Sequence, residues 1–382
     1  MSVTKLKSLI STFIACLGMT WCGSVMADYK LNLTQGATTI SREVYDLHML
    51  ALWVVSAIGV IVFGLMFWSI IFHRKSKGSP AAQFHHSTKW EALWTVIPIF
   101  ILLSFAAPST RTLILTEDTE DSDMTIKVTG YQWKWQYEYL DEDISFFSAL
   151  APEHNQAREK NSGVDVTQIE NYLLEVDNPL VVPINKKIRI LTTANDVIHA
   201  WWIPELGWKR DAIPGFINVN WTLLTEPGIY RGQCAELCGK DHGYMPVVLE
   251  AVSETEFTEW VAKKKRELAE AAAGADREWT MAELMERGQR VYASTCVVCH
   301  QANGQGLPPA FPALTGSVVT TGLMQEHLNV VLNGRPGTTM QAFGQQLNTV
   351  DLAAVITYER NALGNSVGDM VQPLEIKAAL EN

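Results

Sequence analysis

The chain has 382 residues, six of them cysteine, with 47% hydrophobic and 19% charged side chains and a formal charge of −11 at neutral pH. That length has room for two or three domains. The acidic balance argues against nucleic acid as a partner and for attraction to basic proteins.

Lys5 and Lys7 precede an apolar stretch from Leu9 to Met19, and Ser24-Val-Met-Ala27 fits a small-x-small cleavage site, so residues 1–27 read as a secretory signal peptide. A retained membrane helix is the alternative. Lipidation at Cys22 is disfavoured by Trp21, which stands where a small residue belongs. Cleavage removes Cys16 and Cys22 and leaves four cysteines in two ligand-spaced pairs, with none over for a disulfide.

Residues 28–116 hold a short outer segment and a transmembrane helix hairpin. Leu47–Phe72 is interrupted by little beyond His48 and Ser56, and Ala92–Leu115 carries Pro98 as a tolerated kink and Arg111 near its outer end. Between them lie His73, Arg74, Lys75, Lys77 and Lys89, whereas Glu117, Asp118, Glu120, Asp121 and Asp123 follow the second helix. The basic loop is therefore cytoplasmic and the rest of the chain lies outside.

Residues 117–253 show short alternating apolar runs bounded by turn residues: Thr125–Thr129, Tyr172–Val176, Lys187–Thr192, Trp221–Glu226, Ile229–Gln233 and Val247–Val252. This is the pattern of a β-sandwich. Glu153–Gly163 reads as a solvated insertion between strands.

Inside this domain Cys234-Ala-Glu-Leu-Cys238-Gly-Lys-Asp-His242-Gly-Tyr-Met245 packs two thiols, an imidazole and a thioether into one loop, with His199 upstream. C-x3-C alone fits a disulfide or a zinc half-site equally well. With His242, Met245 and flanking strands it reads as copper, because zinc rarely recruits methionine. A Cys-His-Met loop is how a cupredoxin-like Greek-key β-sandwich presents copper. The second cysteine allows both sulfurs to bridge a metal pair, an arrangement suited to electron transfer.

Residues 254–279 are charged and alanine-rich, a partly helical linker. Thr280-Met-Ala-Glu283 then forms a capping box opening a helix with Met281, Leu284, Met285, Gly288, Val291 and Tyr292 on one face. It runs into Cys296-Val-Val-Cys299-His300, the attachment pattern of c-type haem, which makes residues 280–382 an all-α c-type cytochrome domain. Met324, Met340 and Met370 compete as sixth ligand. Met340, in the irregular run Asn333–Gly344, is favoured over Met324, which falls in a helix expected over Thr321–Leu332. A last helix is expected from Asn348 to Asn361.

Together with Glu91-Ala-Leu-Trp-Thr-Val-Ile-Pro98, Gly130-Tyr-Gln-Trp-Lys-Trp135, Leu174-Glu-Val-Asp-Asn178, Asp196-Val-Ile-His199 and Asp211-Ala-Ile-Pro-Gly215, these features make the chain resemble subunit II of cytochrome c oxidase, in the variant with a C-terminal cytochrome c domain. The resemblance covers nearly all of the mature protein.

The resemblance implies the binuclear copper centre CuA, held by His199, His242, Cys234, Cys238, Met245 and the Glu236 carbonyl. It implies that the Glu236 side chain faces a magnesium or manganese ion shared with subunit I. It also implies haem c on Cys296, Cys299 and His300, Trp133 as the residue through which electrons reach the copper, and Glu91 at the mouth of a proton pathway. For Trp133 the competing reading is one packed face of a strand running Tyr131 to Tyr139, and for Glu91 a favourable charge at a helix N-terminus. Lys134 departs from relatives, which often have an aromatic residue there.

The implied function is that of the subunit where electrons are taken up in a haem-copper terminal oxidase, with subunit I and subunit III as partners and a cytochrome c or equivalent donor. The implied location is a bacterial inner membrane, with both redox domains on the periplasmic face. Oxygen reduction and proton pumping belong to subunit I, and no catalytic residue lies in this chain. A quinol oxidase subunit would lack the copper ligands, and nitrous oxide reductase would carry propeller repeats in place of the hairpin. A membrane-tethered shuttle or copper-handling protein outside any oxidase is the reading from a different class.

Overall fold

The computed structural model describes all residues except 1–31, 79, 81, 82, 84, 160, 161 and 382. The expected signal peptide lies outside the described residues. Helix α1 (Thr39–Phe72, 34 residues) and helix α2 (Thr88–Glu117, 30 residues) are each long and apolar enough to cross a membrane. At about 1.5 Å per residue either exceeds a hydrocarbon core of about 30 Å. Their apolar side chains stand exposed, Val60 at 75% and Leu102 at 70%, as lipid-facing residues must. Both helices begin earlier than hydropathy alone suggests, because polar turns precede each apolar stretch.

The first turns of α1 are tied to the outer domain. Thr38 Oγ1 donates to the Leu206 carbonyl at 2.9 Å, and Ile40 is fully buried in the sandwich core. Past the end of the apolar stretch of α2, the Leu115 carbonyl accepts from the Trp221 indole at 2.9 Å.

The sandwich is built from β1 (Met124–Tyr131), β2 (Lys134–Tyr139), β3 (Ile144–Ser148), β4 (Leu180–Pro183), β5 (Ile188–Ala194), β6 (His199–Ile203), β7 (Trp208–Ala212), β8 (Asn218–Thr222), β9 (Gly228–Gln233) and β10 (Pro246–Val252). One sheet runs β3-β2-β1-β5-β8, a second β4-β10-β9, and β6-β7 form a separate hairpin. The pairs β1/β5 and β4/β10 are parallel, which requires crossovers between sheets.

Alternation drives the packing: Trp135, Tyr137 and Tyr139 of β2 point inward and are buried. The Tyr139 hydroxyl joins the two sheets, donating to the Val181 carbonyl at 2.8 Å and accepting from its N–H at 3.0 Å.

Three segments of the sandwich differ from expectation, the first being Trp221–Glu226, which is strand only to Thr222, where β8 ends. Tyr172–Val176 forms turns with one isolated bridge at Val176, so it is not a strand. The supposed solvated insertion contains helix α3 (Pro152–Ala157) with His154 and Ala157 buried, because Pro152 starts the helix and His154 Nδ1 accepts from the Leu173 N–H at 3.1 Å.

Helix α4 (Glu254–Ala273) is continuous and packs on the sandwich. Trp260 lies 5.1 Å from the Tyr139 ring and stacks on Phe257 at 5.8 Å.

The C-terminal domain comprises α5 (Met281–Val291), a π-turn (Tyr292–Cys296), α6 (Val297–His300), α7 (Val318–Thr321), α8 (Met324–Asn333), α9 (Thr349–Asn361) and α10 (Pro373–Leu380). Thr280 and Glu283 form the expected capping box. Helices α5 and α9 cross closely at Gly288, where a Cβ would collide with the Ala354 carbonyl. Arg360 of α9, 1% exposed, is satisfied by Asp369 and by the carbonyls of Thr320 and Gly322. The helix expected over Thr321–Leu332 is split by Gly322 and Leu323 and starts at Met324.

Candidate metal and haem sites

Three donors converge at one end of the sandwich. His199 opens β6, Cys234 follows β9 and Cys238 lies in the loop beyond, and their ligand atoms fall within 4.8 Å of one another. The Cys234 and Cys238 sulfurs are 3.7 Å apart, and His199 Nδ1 is 3.9 Å from Cys234. His242 enters from the other side, its Nδ1 3.5 Å from the Cys238 sulfur. Met245 is 1% exposed and shares the core cluster with both cysteines. The Glu236 carbonyl lies 3.4 Å from the Cys234 sulfur while its side chain is exposed.

Two unlinked thiols flanked by two imidazoles and a thioether form a donor set fitted to a soft metal pair. The hydrogen bond between the two sulfurs pulls the Cys234 thiol well below its ordinary value, against burial, while that same bond pushes the Cys238 thiol up. The pair therefore releases its first proton readily and its second reluctantly. Burial pulls His199 down, but hydrogen bonds to Asp196 and Cys234 outweigh it and leave its pKa raised.

Asp196 is a contact of His199 to which the sequence reading gave no role. Its Oδ1 lies 2.9 Å from His199 Nε2, so it fixes the ring and leaves Nδ1 facing the sulfurs. Its place three residues before His199 was the available signal. Gly130 of β1 makes room for this ring, since a Cβ there would stand 2.7 Å from His199 Cδ2.

The π-turn ends on Cys296, α6 carries Cys299 and His300, and His300 Nδ1 donates to the Pro312 carbonyl at 2.9 Å, leaving Nε2 for a metal. Burial keeps both thiols protonated, with Cys299 pushed up to about 11.

Cys296, Cys299, His300 and Met340 line a cavity of about 520 Å³, within the range of cofactor sites. Met324 and Met370 do not line it; Met324 packs against the helical core and Met370 is 42% exposed. Two residues that line the cavity each carry a buried nitrogen with no hydrogen-bond partner among the described residues, Trp133 at Nε1 and His327 at Nδ1. Unpaired donors or acceptors of this kind suit a cofactor with polar substituents.

Trp133 sits in the turn between β1 and β2, outside the packed face that Trp135, Tyr137 and Tyr139 form. Its ring abuts the copper loop, where a Cβ on Gly239 would meet Cζ2 at 3.1 Å. Glu91 lies in the first turn of α2, and its Oε1 accepts from the Ser87 N–H at 3.2 Å.

The sequence matches the transmembrane domain of cytochrome c oxidase subunit II over residues 26–112, the periplasmic domain of that subunit over 124–252, and cytochrome c oxidase, cbb3-type, subunit III over 283–358. A probable cytochrome c oxidase subunit 2 of Rickettsia bellii is 39% identical over 264 residues, covering 68% of this chain and 94% of the relative. The cytochrome c oxidase subunit 2 of Cereibacter sphaeroides is 35% identical over 238 residues, covering 60% and 78%. The crystal structure of the periplasmic domain of subunit II of cytochrome oxidase of Bradyrhizobium japonicum is 41% identical, covering 39% of this chain and 98% of that one, with a TM-score of 0.34.

With two membrane-length helices, a cupredoxin-like sandwich and a helical cytochrome c region in one chain, this protein belongs to the cytochrome c oxidase subunit II family, as the membrane-anchored component of a haem-copper oxidase complex.

Proposed function

We propose that this subunit takes up electrons on its C-terminal domain and delivers them through its copper loop to subunit I. The observation that carries this reading is one cavity lined jointly by the haem-attachment residues and by Trp133, which abuts the copper loop. When bound, a copper pair and a covalent haem c supply one-electron chemistry.

The protein holds and orients them. His199, His242, Cys234, Cys238, Met245 and the Glu236 carbonyl would hold the copper pair, the imidazoles offering nitrogen and the side chains of the cysteines and methionine sulfur. The coupled thiols make metal uptake release protons. Cys296 and Cys299 would anchor the haem, and His300 and Met340 would hold its iron; of the three candidate methionines Met340 alone lines the cavity.

The outward Glu236 carboxylate suits a magnesium or manganese ion completed by subunit I, since a lone carboxylate binds such an ion weakly. Glu91 as a proton-pathway residue rests on the family match, because its contact with Ser87 is what a helix start alone would produce. A soluble cytochrome c or equivalent donor would meet the haem domain first, since Trp133 lies in the shared cavity. Subunit III completes the assembly in a bacterial inner membrane, with residues 1–27 as the export signal.

The test is metal and haem quantification with electron paramagnetic resonance on the full chain matured with covalent haem. Two coppers per haem, with hyperfine structure from one electron shared by both nuclei, are expected. A mononuclear copper signal, or none, would overturn the assignment.

A further inference from the structure

The haem domain touches the copper domain through few polar contacts, and one of them leads to a copper-site histidine. Gln341 directly follows Met340. Its Nε2 donates to the Gln132 carbonyl at 2.8 Å and to Asp196 Oδ2 at 3.1 Å, and its Oε1 accepts from Gln346 Nε2 at 3.2 Å. A carbonyl and a carboxylate only accept, so the amide fits in this orientation alone. Asp196 Oδ2 also receives the Gln132 N–H at 2.7 Å, and Oδ1 holds His199.

The neighbouring contacts are of a different kind. Lys240 Nζ donates to the Val298 carbonyl at 2.9 Å, and Lys134 Nζ lies 5.3 Å from the Phe343 ring. Lys240 stands between Cys238 and His242 and Val298 between Cys296 and Cys299, so the first contact also bridges the two sites, but neither lysine bonds a group that orients a copper ligand. The Gln341 amide is fixed at both ends and meets the carboxylate that orients His199. A run of one peptide link and two hydrogen bonds thus joins Met340 to His199.

Resting on the copper and haem reading above, we propose that Gln341 is a positioning residue that docks the fused haem domain onto the β1–β2 turn and Asp196, tunes His199 through that carboxylate, and completes the intramolecular electron route. The route carries one electron, from a ferrous haem that becomes ferric to the oxidised copper pair; no bond changes and no proton moves. A hydrogen bond donated to Asp196 draws charge from that carboxylate and so weakens its hold on the His199 ring proton, which sets the basicity of the ligand nitrogen.

The test uses the purified oxidase with Gln341→Leu and Gln341→Glu, after confirming that the wild type carries haem and the two-copper signal. In Gln341→Leu, haem-to-copper transfer after photoreduction of the haem slows by about tenfold or more, the scale of a lost hydrogen bond to a charged group. The nitrogen hyperfine coupling of His199 shifts as well, which loss of a merely structural contact would not produce. Gln341→Glu, the second variant should the first not assemble, replaces the donor to Asp196 with an acceptor and is expected to slow transfer and shift the His199 hyperfine coupling in the same way. A wild-type transfer rate or an unchanged hyperfine coupling in Gln341→Leu overturns the proposal. Absence of the copper-pair signal from the wild type would instead sink the underlying functional reading.

Discussion

Arg158 grips Asp241 through two parallel contacts, Nη1 to Oδ1 at 3.2 Å and Nη2 to Oδ2 at 3.1 Å, while its guanidinium lies 4.1 Å from the Tyr244 ring centroid. Asp241 is 2% exposed and directly precedes His242. The segment after α3 therefore braces the copper loop from outside. Removing one partner of a buried pair costs on the order of 3–5 kcal/mol, and the partial exposure of Arg158 lowers this to about 2 kcal/mol. Arg158→Met is expected to lower the thermal midpoint of the copper domain and to speed copper loss to a chelator. Arg158→Lys should recover only part, because an ammonium lacks the planar fork. Unchanged chelation kinetics in Arg158→Met would remove the bracing role.

Gly130 offers a test of ligand placement. A methyl group there presses on the His199 ring, and overpacking of this kind costs about 1–3 kcal/mol. Gly130→Ala is expected to fall below two coppers per chain with haem content intact. Gly243→Ala, in the copper loop with nothing within 4 Å of its Cβ position, is the matched control and should retain copper. Equal copper content in the two variants would show that the sheet yields to the methyl.

The sixth haem ligand is tested by spectroelectrochemistry. Met340→Ala is expected to lower the haem midpoint potential by at least about 59 mV, a tenfold shift for one electron, and to leave the copper spectrum unchanged. Met324→Ala and Met370→Ala should leave the potential in place. A normal potential in Met340→Ala would discard this ligand.

Lys134 predicts a pH dependence. Burial pulls its ammonium down to about 8, against the pull of Asp177 and Asp196, and its Nζ lies 4.5 Å from the Phe147 ring centroid. Between about pH 8 and the ordinary lysine value the unfolded chain binds more protons than the folded one, so stability rises with pH in that window. Below it the full penalty applies, on the order of 3 kcal/mol for complete burial and about 1–2 kcal/mol for a half-buried side chain. Lys134→Met is expected to be the more stable form at pH 7 in urea unfolding, with the gap closing toward pH 10. A gap that widens with pH would reverse the argument.

What the sequence disclosed depended on how local each feature is. The copper loop and the haem-attachment pattern are contiguous runs whose residue types carry the chemistry, so both were legible. The capping box at Thr280 and the apolar spans are local in the same sense. The inserted helix was missed because its stabilising contacts, His154 to Leu173 and Arg158 to Asp241, are distant in sequence and leave a polar segment looking solvated. Tyr172–Val176 alternates like a strand, yet Asn171 and Leu173 adopt positive φ and turn the chain instead. The contacts between the haem and copper domains were invisible for a related reason, since nothing in a lone Gln341 announces a carboxylate 145 residues away.

Helix α4 has a bearing on how such a two-module protein can be engineered. It leaves the sandwich at the end of β10, is clamped by Phe257 and Trp260, and runs to Ala273, from which a 3-10 turn (Gly274–Asp276) and four non-helical residues lead into the haem domain. A stiff connector of this kind fixes azimuth as well as distance: deleting one residue turns everything beyond it by about 100° and draws it in by about 1.5 Å. A graft of this haem module onto another copper module would therefore have to match the helical phase of α4, adding or removing residues in groups that restore a whole number of turns.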